Sequence, residues 1–197
     1  MFDAHAHPGI PTAGALVCSA GKEDYPRLLD CPYRAAGLLP GRKPDWDALE
    51  NALKAGCILG EVGLDKRFPD LDEQKKVLLK ALEIGKGLPV VLHTVRAWQD
   101  MLEIISNHPG RYMLHGWTGS YEMAKRFLDK GCLISLGPRA ERVRDFSRLL
   151  TLPFVTETDL PAGEEQQAAL KAWNIKLSEL TGLDIEARTE RMMKEWL

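Results

Sequence analysis

The sequence has little cysteine, and none of it is paired. Cys18, Cys31, Cys57 and Cys132 form no Cys-x-x-Cys spacing. A zinc knuckle needs closer pairs, so these residues read as buried, reduced thiols. Long hydrophobic runs are also missing. No apolar stretch approaches the ~20 residues that cross a bilayer. Met1-Phe2-Asp3-Ala4-His5 lacks the basic start and apolar stretch of a secretory signal. The expected location is cytoplasmic, with no membrane partner. A strong excess of one charge is absent too: the formal net charge is -2. That excludes a strongly basic nucleic-acid binder and makes any contact with nucleic acid local.

What is present is a run of alternating elements. The 197 residues suit one well-buried domain covering residues 1–197. Apolar runs of strand length recur at Phe2–His7, Ala15–Ala20, Arg34–Leu38, Cys57–Val62, Pro89–His93, Arg111–His115, Cys132–Leu136 and Phe154–Thr158. They lack strict alternation, as strands buried on both faces do. Amphipathic stretches lie between the later runs. In Asp72–Lys86, Val77, Leu78, Ala81, Leu82 and Ile84 share one broad face, opposite Lys75, Lys76, Lys80, Glu83 and Lys86. Trp98–Ser106, Tyr121–Lys130 and Arg139–Leu150 read the same way. Gly163–Thr181 and Ile185–Leu197 read as two further helices, the second with Ile185, Met192 and Trp196 near one face.

Two segments nearly repeat: Leu53-Lys54-Ala55-Gly56-Cys57-Ile58-Leu59-Gly60 and Leu128-Asp129-Lys130-Gly131-Cys132-Leu133-Ile134-Ser135. In each, a helix ends at glycine and a strand follows at once. A strand–helix unit used eight times predicts an α/β fold, a (β/α)8 TIM barrel. A doubly wound open sheet is the alternative. The first unit is defective. Only Pro8–Gly14 separates the first two runs, and a helical crossover needs at least ~10–12 residues. Extended, those seven residues span roughly 23 Å, enough to run down the outside of a strand. The barrel is therefore expected to be shortened, with the first crossover helix missing. Gly21–Tyr33 has room for one short helix near Asp24–Leu29. The thinly covered first-strand flank is expected to lie under the C-terminal segment or under a second copy of the chain in a homo-oligomer.

Strands of a parallel barrel all end at one face, where active sites sit. His5 and His7 close the first run, Glu61 the fourth, His93 the fifth, His115 the sixth, and Asp159 the eighth. The remaining histidine, His108, falls in a loop at the opposite face and reads as solvated. Taken singly, each residue has a bland reading: a histidine at a strand end is more often a satisfied rim residue, and Glu61 or Asp159 can serve as a helix cap. Together they do not. Asp3, His5 and His7, two apart in a strand, are expected to point into the barrel, with Asp3 orienting one ring. Three polar groups there are costly unless something binds them, and a divalent cation accepts neutral imidazole nitrogens. Four histidines and two carboxylates suit two metals better than one, with Glu61 and Asp159 as the candidate carboxylates. The donor set suits zinc, manganese, magnesium, nickel or iron.

These residues resemble the TatD-like deoxyribonuclease family of the amidohydrolase-type barrels, in order along nearly the whole chain. Asp3-Ala4-His5-Ala6-His7 resembles its opening D-x-H-x-H, Gly60-Glu61-Val62-Gly63-Leu64-Asp65 its G-E-[IV]-G-L-D, and Leu92-His93-Thr94-Val95-Arg96-Ala97 its third block. His115-Gly116-Trp117-Thr118-Gly119-Ser120 is similar to H-C-F-T-G-S, and Glu157-Thr158-Asp159 to E-T-D. The resemblance implies a two-metal phosphodiester hydrolase acting on DNA. His5 and His7 would hold one metal and His93 and His115 the other. Glu61 would bridge them, and Asp159 would ligate the first and take a proton from the attacking water, which makes Glu61 and Asp159 the catalytic pair. The chain departs from the family at Leu39, where the G-x-H-P block has histidine, and it is shorter than usual before Glu61.

Cations near the strand ends bear on the substrate. Lys66 and Arg67 follow the fourth run, Arg96 the fifth, and Arg139 and Arg142 the seventh. Arg96 and Arg139 fall near expected helix starts, where the dipole disfavours positive charge unless an anion binds there. Arg96, Arg139 and Lys66 are thus the candidate substrate contacts. Two other classes of function fit the same ligands: a metal-dependent hydrolase of a small ester, lactone or amide, and a non-catalytic module that retains metal.

Overall fold

The computed structural model describes residues 1–197. Eight parallel strands pair in sequence order: β1 (Asp3–Ala6), β2 (Ala15–Cys18), β3 (Tyr33–Leu38), β4 (Ile58–Asp65), β5 (Val90–Val95), β6 (Tyr112–Leu114), β7 (Leu133–Leu136) and β8 (Val155–Thr156). The circle is completed past the end of β8. Asp159 N–H donates to His5 O at 3.1 Å, His7 N–H to Leu160 O at 2.8 Å and Ala162 N–H to His7 O at 2.9 Å. This is the (β/α)8 barrel, not the open sheet.

Two apolar layers follow from closure. Ala4, Leu16, Cys18, Ala35, Val91, Met113, Leu133 and Val155 form one buried cluster drawn from seven strands, which only the inside of a closed sheet brings together. The larger cluster fills the space between the sheet and the helices α2 (Trp46–Lys54), α3 (Leu71–Ile84), α4 (Trp98–Asn107), α5 (Tyr121–Leu128) and α7 (Glu164–Thr181). Gly56 and Gly131, the glycines of the near-repeat, have φ of 92° and 77°. Only glycine adopts this backbone at no steric cost, so each stops a helix and releases a strand.

The C-terminal helix α8 (Ile185–Trp196) closes the bottom of the barrel. Met193 joins the interior cluster, with Met192 and Trp196 packed against it. Thr189 Oγ1 accepts a hydrogen bond from Thr156 N–H at 3.2 Å. No helix separates β1 from β2, as expected from the length of Pro8–Gly14. A 3₁₀ turn (Lys22–Asp24) and α1 (Tyr25–Leu28) occupy the second connection, and every residue of β1 and β2 is buried within the chain. Leu28 and Cys31 supply part of that cover, and the Arg27 guanidinium ties α1 to Pro8 O at 2.9 Å. The flank is thus covered from within the chain, with Ile10 and Leu29 left exposed.

Three elements differ from expectation. The helix expected over Arg139–Leu150 is a 3₁₀ turn (Pro138–Arg142) followed by the short α6 (Phe146–Leu149), broken where Val143 is extended (ψ 131°). β4 and β5 also run on past Glu61 and His93, to Asp65 and Val95. Gly60 and Gly63 both lie inside β4. No helix is long and apolar enough to cross a membrane.

Candidate metal centre

Register decides which side chains reach the barrel mouth. Between Asp3 and Ala6, β1 advances three residues while β2 advances two, from Ala15 to Val17. This extra residue is a β-bulge, and it reverses the side-chain phase. Asp3 therefore points outward, contrary to the expectation that it faces the histidines. Its carboxylate accepts bonds from Thr158 Oγ1–H at 2.6 Å, Thr158 N–H at 3.1 Å and Gln166 Nε2 of α7 at 2.6 Å. Its role is to tie β1 to the segment carrying Asp159. His5 and His7, past the bulge, turn to the mouth. A second bulge in β4, between Leu59 and Val62, does the same for Glu61. A Cβ on neighbouring Gly37 would stand 2.2 Å from Glu61 N, so the bulge fits only against a bare backbone.

The six ligand candidates meet there. Glu61 Oε1 lies 2.5 Å from His93 Nδ1 and 2.6 Å from His115 Nε2, while Oε2 faces His5 Nε2 at 3.5 Å. Asp159 Oδ1 is 3.0 Å from His7 Nε2 and 3.6 Å from His5 Nε2. Three overlapping groups place one ligand atom from each member within 4.8 Å of the others: His5, His7 and Glu61; His5, His115 and Asp159; Glu61, His93 and His115. Buried His5 Nδ1, His5 Nε2, Glu61 Oε2 and His115 Nδ1 have no hydrogen-bond partner. Orphaned buried polar atoms are costly, and a divalent cation would satisfy those that point inward, so the donor set fits metal.

The protonation states follow from this crowding. Burial and the nearby charge of His115 push His5 down to about 4, which leaves its lone pair free at neutral pH. Burial pushes Glu61 up, but the charge of His115 and hydrogen bonds from His115 and His93 outweigh it and hold the carboxyl well below its ordinary range. His115 is the counterpart: burial lowers it, and Glu61 with Glu157 raises it further than that. Asp159, pushed up by burial but bonded by His7, ends at about 2 and is ionised at neutral pH.

The candidate substrate cations diverge. Arg139 NH1 reaches Asp159 Oδ2 at 2.8 Å, at the centre itself. Lys66 is turned away, bonded to Asp100 Oδ2 at 2.8 Å. Arg96 is exposed, forms no ion pair and has φ of 57°, a left-handed backbone unusual for its type. His108 is exposed at the opposite face. Two residues of the motifs carry contacts that spacing did not reveal. Asp65 Oδ2 lies 3.2 Å from His93 Nε2, and Glu157 Oε1 lies 3.7 Å from His115 Nδ1. For Asp65 the signal was phase, four residues beyond Glu61 along β4; for Glu157, past the end of β8, it was only its place in the E-T-D motif.

Four histidines and two carboxylates at the mouth of a parallel barrel have the donor chemistry of a divalent-metal site. Residues 27–190 match the family described as TatD related DNase, and the chain belongs to that family. His5 and His7 precede the matched segment. YjjV of Escherichia coli, named an uncharacterized metal-dependent hydrolase, is 31% identical over 150 residues, 66% of this chain and 58% of YjjV. A Haemophilus influenzae protein of the same description is 34% identical over 133 residues, 57% of this chain and 51% of its own. An Encephalitozoon cuniculi protein, provisionally named a deoxyribonuclease, is 31% identical over 110 residues, 52% of this chain and 40% of its own. The chain thus spans between 40% and 58% of the length of these relatives. A crystal structure of a TatD family hydrolase from Entamoeba histolytica has a TM-score of 0.72 at 14% identity, covering 89% of this chain and 80% of that one. At that identity the likeness shows the fold alone.

Proposed function

We propose that this chain is a metal-dependent phosphodiester hydrolase acting on DNA, with two divalent ions per chain. One observation carries the reading: the two oxygens of Glu61 face opposite halves of the cluster, His93 and His115 on one side and His5 on the other. A carboxylate so placed would serve both halves of the cluster, one oxygen to each. His5, His7 and Asp159 would hold one ion, and His93 and His115 the other.

When bound, the metal supplies Lewis acidity, which acidifies a water and offsets charge on a phosphoryl oxygen. The chain's own groups do the rest. Asp159, ionised at neutral pH, accepts a proton from the attacking water and later returns one to the leaving oxygen. Arg139, beside Asp159, and the unpaired Arg96 attract the anionic backbone. The family description and the Encephalitozoon name support DNA as the substrate class.

A specific observation favours a second reading. Lys66 is taken up by Asp100 and Arg139 by Asp159, and Leu39, just past the end of β3, stands where the resembled family's G-x-H-P block has histidine. A less anionic substrate, a small ester, lactone or amide, suits those surroundings, and the same centre polarises a carbonyl. The test is turnover by metal-loaded protein on single-stranded DNA, a bis-aryl phosphate and acyl substrates. DNA and phosphodiester cleavage above acyl hydrolysis supports the proposal. Acyl hydrolysis alone overturns it.

A further inference from the structure

Glu61 divides the cluster into halves, and what stands behind the histidines differs between them. In the first half, His5 Nδ1 is buried with no partner, and His7 Nδ1 meets only the carbonyl of Cys18 at 3.2 Å. Asp159 is shared with the exposed guanidinium of Arg139. In the second half, a buried carboxylate stands behind each ring. Asp65, 0% exposed, faces His93 Nε2 at 3.2 Å. It is anchored by Arg67, whose backbone N–H donates to Oδ1 at 2.9 Å and whose guanidinium donates to both oxygens, NH2 reaching Oδ2 at 2.6 Å. Glu157, 1% exposed, faces His115 Nδ1 at 3.7 Å, a charge contact longer than a hydrogen bond, whereas no carboxylate faces His5 Nδ1. Its other oxygen accepts from Ser135 Oγ–H, and Ser135 Oγ in turn accepts from Gly116 N–H at 3.2 Å.

A carboxylate on the outer N–H of a metal-bound histidine fixes its tautomer and orientation and makes it a stronger donor. Glu157, which no lysine or arginine pairs, also adds negative charge behind that position, while the Arg67 cation offsets the charge of Asp65. At the other, the Arg139 cation competes with metal for Asp159.

We propose that the two metal positions are unequal. The Glu61–His93–His115 position fills first and tightly, with Asp65 and Glu157 as its positioning residues. The His5–His7–Asp159 position is weaker and exchangeable. This inference rests on the two-metal reading above, and its test separates the two.

The experiment is calorimetric titration of the metal-stripped chain with zinc, with a competing chelator to reach the tighter event. Two separable events are expected. Glu157→Gln and Asp65→Asn should each weaken the tighter event by about 10–100-fold and leave the weaker one in place. His7→Ala should remove the weaker event and spare the tighter. Melting of the same variants without metal gives the second readout. If both events weaken together with a lowered metal-free melting temperature, the two carboxylates are merely structural and the proposal falls. Two equal events in the native chain overturn the inequality alone. No zinc binding at all overturns the metal-centre reading with it.

Discussion

The imidazole rings of His5 and His115 stack with centroids 4.0 Å apart and planes 18° apart, although they come from β1 and from the end of β6. Each turns its Nε2 toward the carboxylate of Glu61, from opposite halves of the cluster. The stack places donors for two positions side by side.

Asp159 is the proton acceptor of this account. Its φ of 61° is left-handed, a conformation asparagine also tolerates. Asp159→Asn should therefore fold. The expected loss in kcat is about 10²–10⁴-fold, read by steady-state hydrolysis beside thermal melting. Loss of less than tenfold would remove Asp159 from proton transfer.

The three candidate substrate cations should differ. Arg96→Ala and Arg139→Ala should lower phosphodiester cleavage more than they lower melting temperature. A charged hydrogen bond to phosphate is worth about 1.5–3 kcal/mol, or roughly 10–100-fold in kcat/KM. Lys66→Ala should do less, because Asp100 already holds Lys66. Unchanged cleavage in both arginine variants would contradict a phosphate contact.

Asp100 gives a pH signature. Hydrogen bonds from Lys66 and Lys75 hold its carboxyl below the ordinary 3.8. A depressed folded pKa means stability that is present above the unfolded value and lost as pH falls below it. Asp100→Asn should cost up to about 1 kcal/mol at pH 7, since both lysines are partly open to solvent, and less at pH 3. Chemical denaturation at the two pH values checks the difference.

Met193 plugs the barrel from below, fully buried among the interior residues. Met193→Ala should cost about 2–5 kcal/mol, because it leaves a cavity among buried neighbours that relax only in part. It lies at the end opposite the metal centre, so activity of the folded fraction at low temperature should persist. Denaturant midpoints and residual rate together test this.

Much of this was readable from the sequence because the barrel imposes it. Apolar runs buried on both faces, glycine stops at Gly56 and Gly131, and ligand-type residues at strand ends are all consequences of one topology. The bulges were not readable. One extra residue in β1 turns Asp3 outward to Thr158 and Gln166, and nothing in Asp3-Ala4-His5 marks where the phase reverses. Amphipathic spacing over Arg139–Leu150 counted residues that match a helix, but the connection only needs two short turns to reach β8. Asp65 and Glu157 stood in recognised motifs, yet their contacts with His93 and His115 depend on register between distant strands.

The most direct test of the account is metal content read with hydrolysis on one preparation. The purified chain, loaded with zinc or manganese, should hold about two ions and cleave single-stranded DNA, with cleavage abolished by chelator and restored by metal. A chain that binds no metal, or that cleaves equally well with and without chelator, would contradict it.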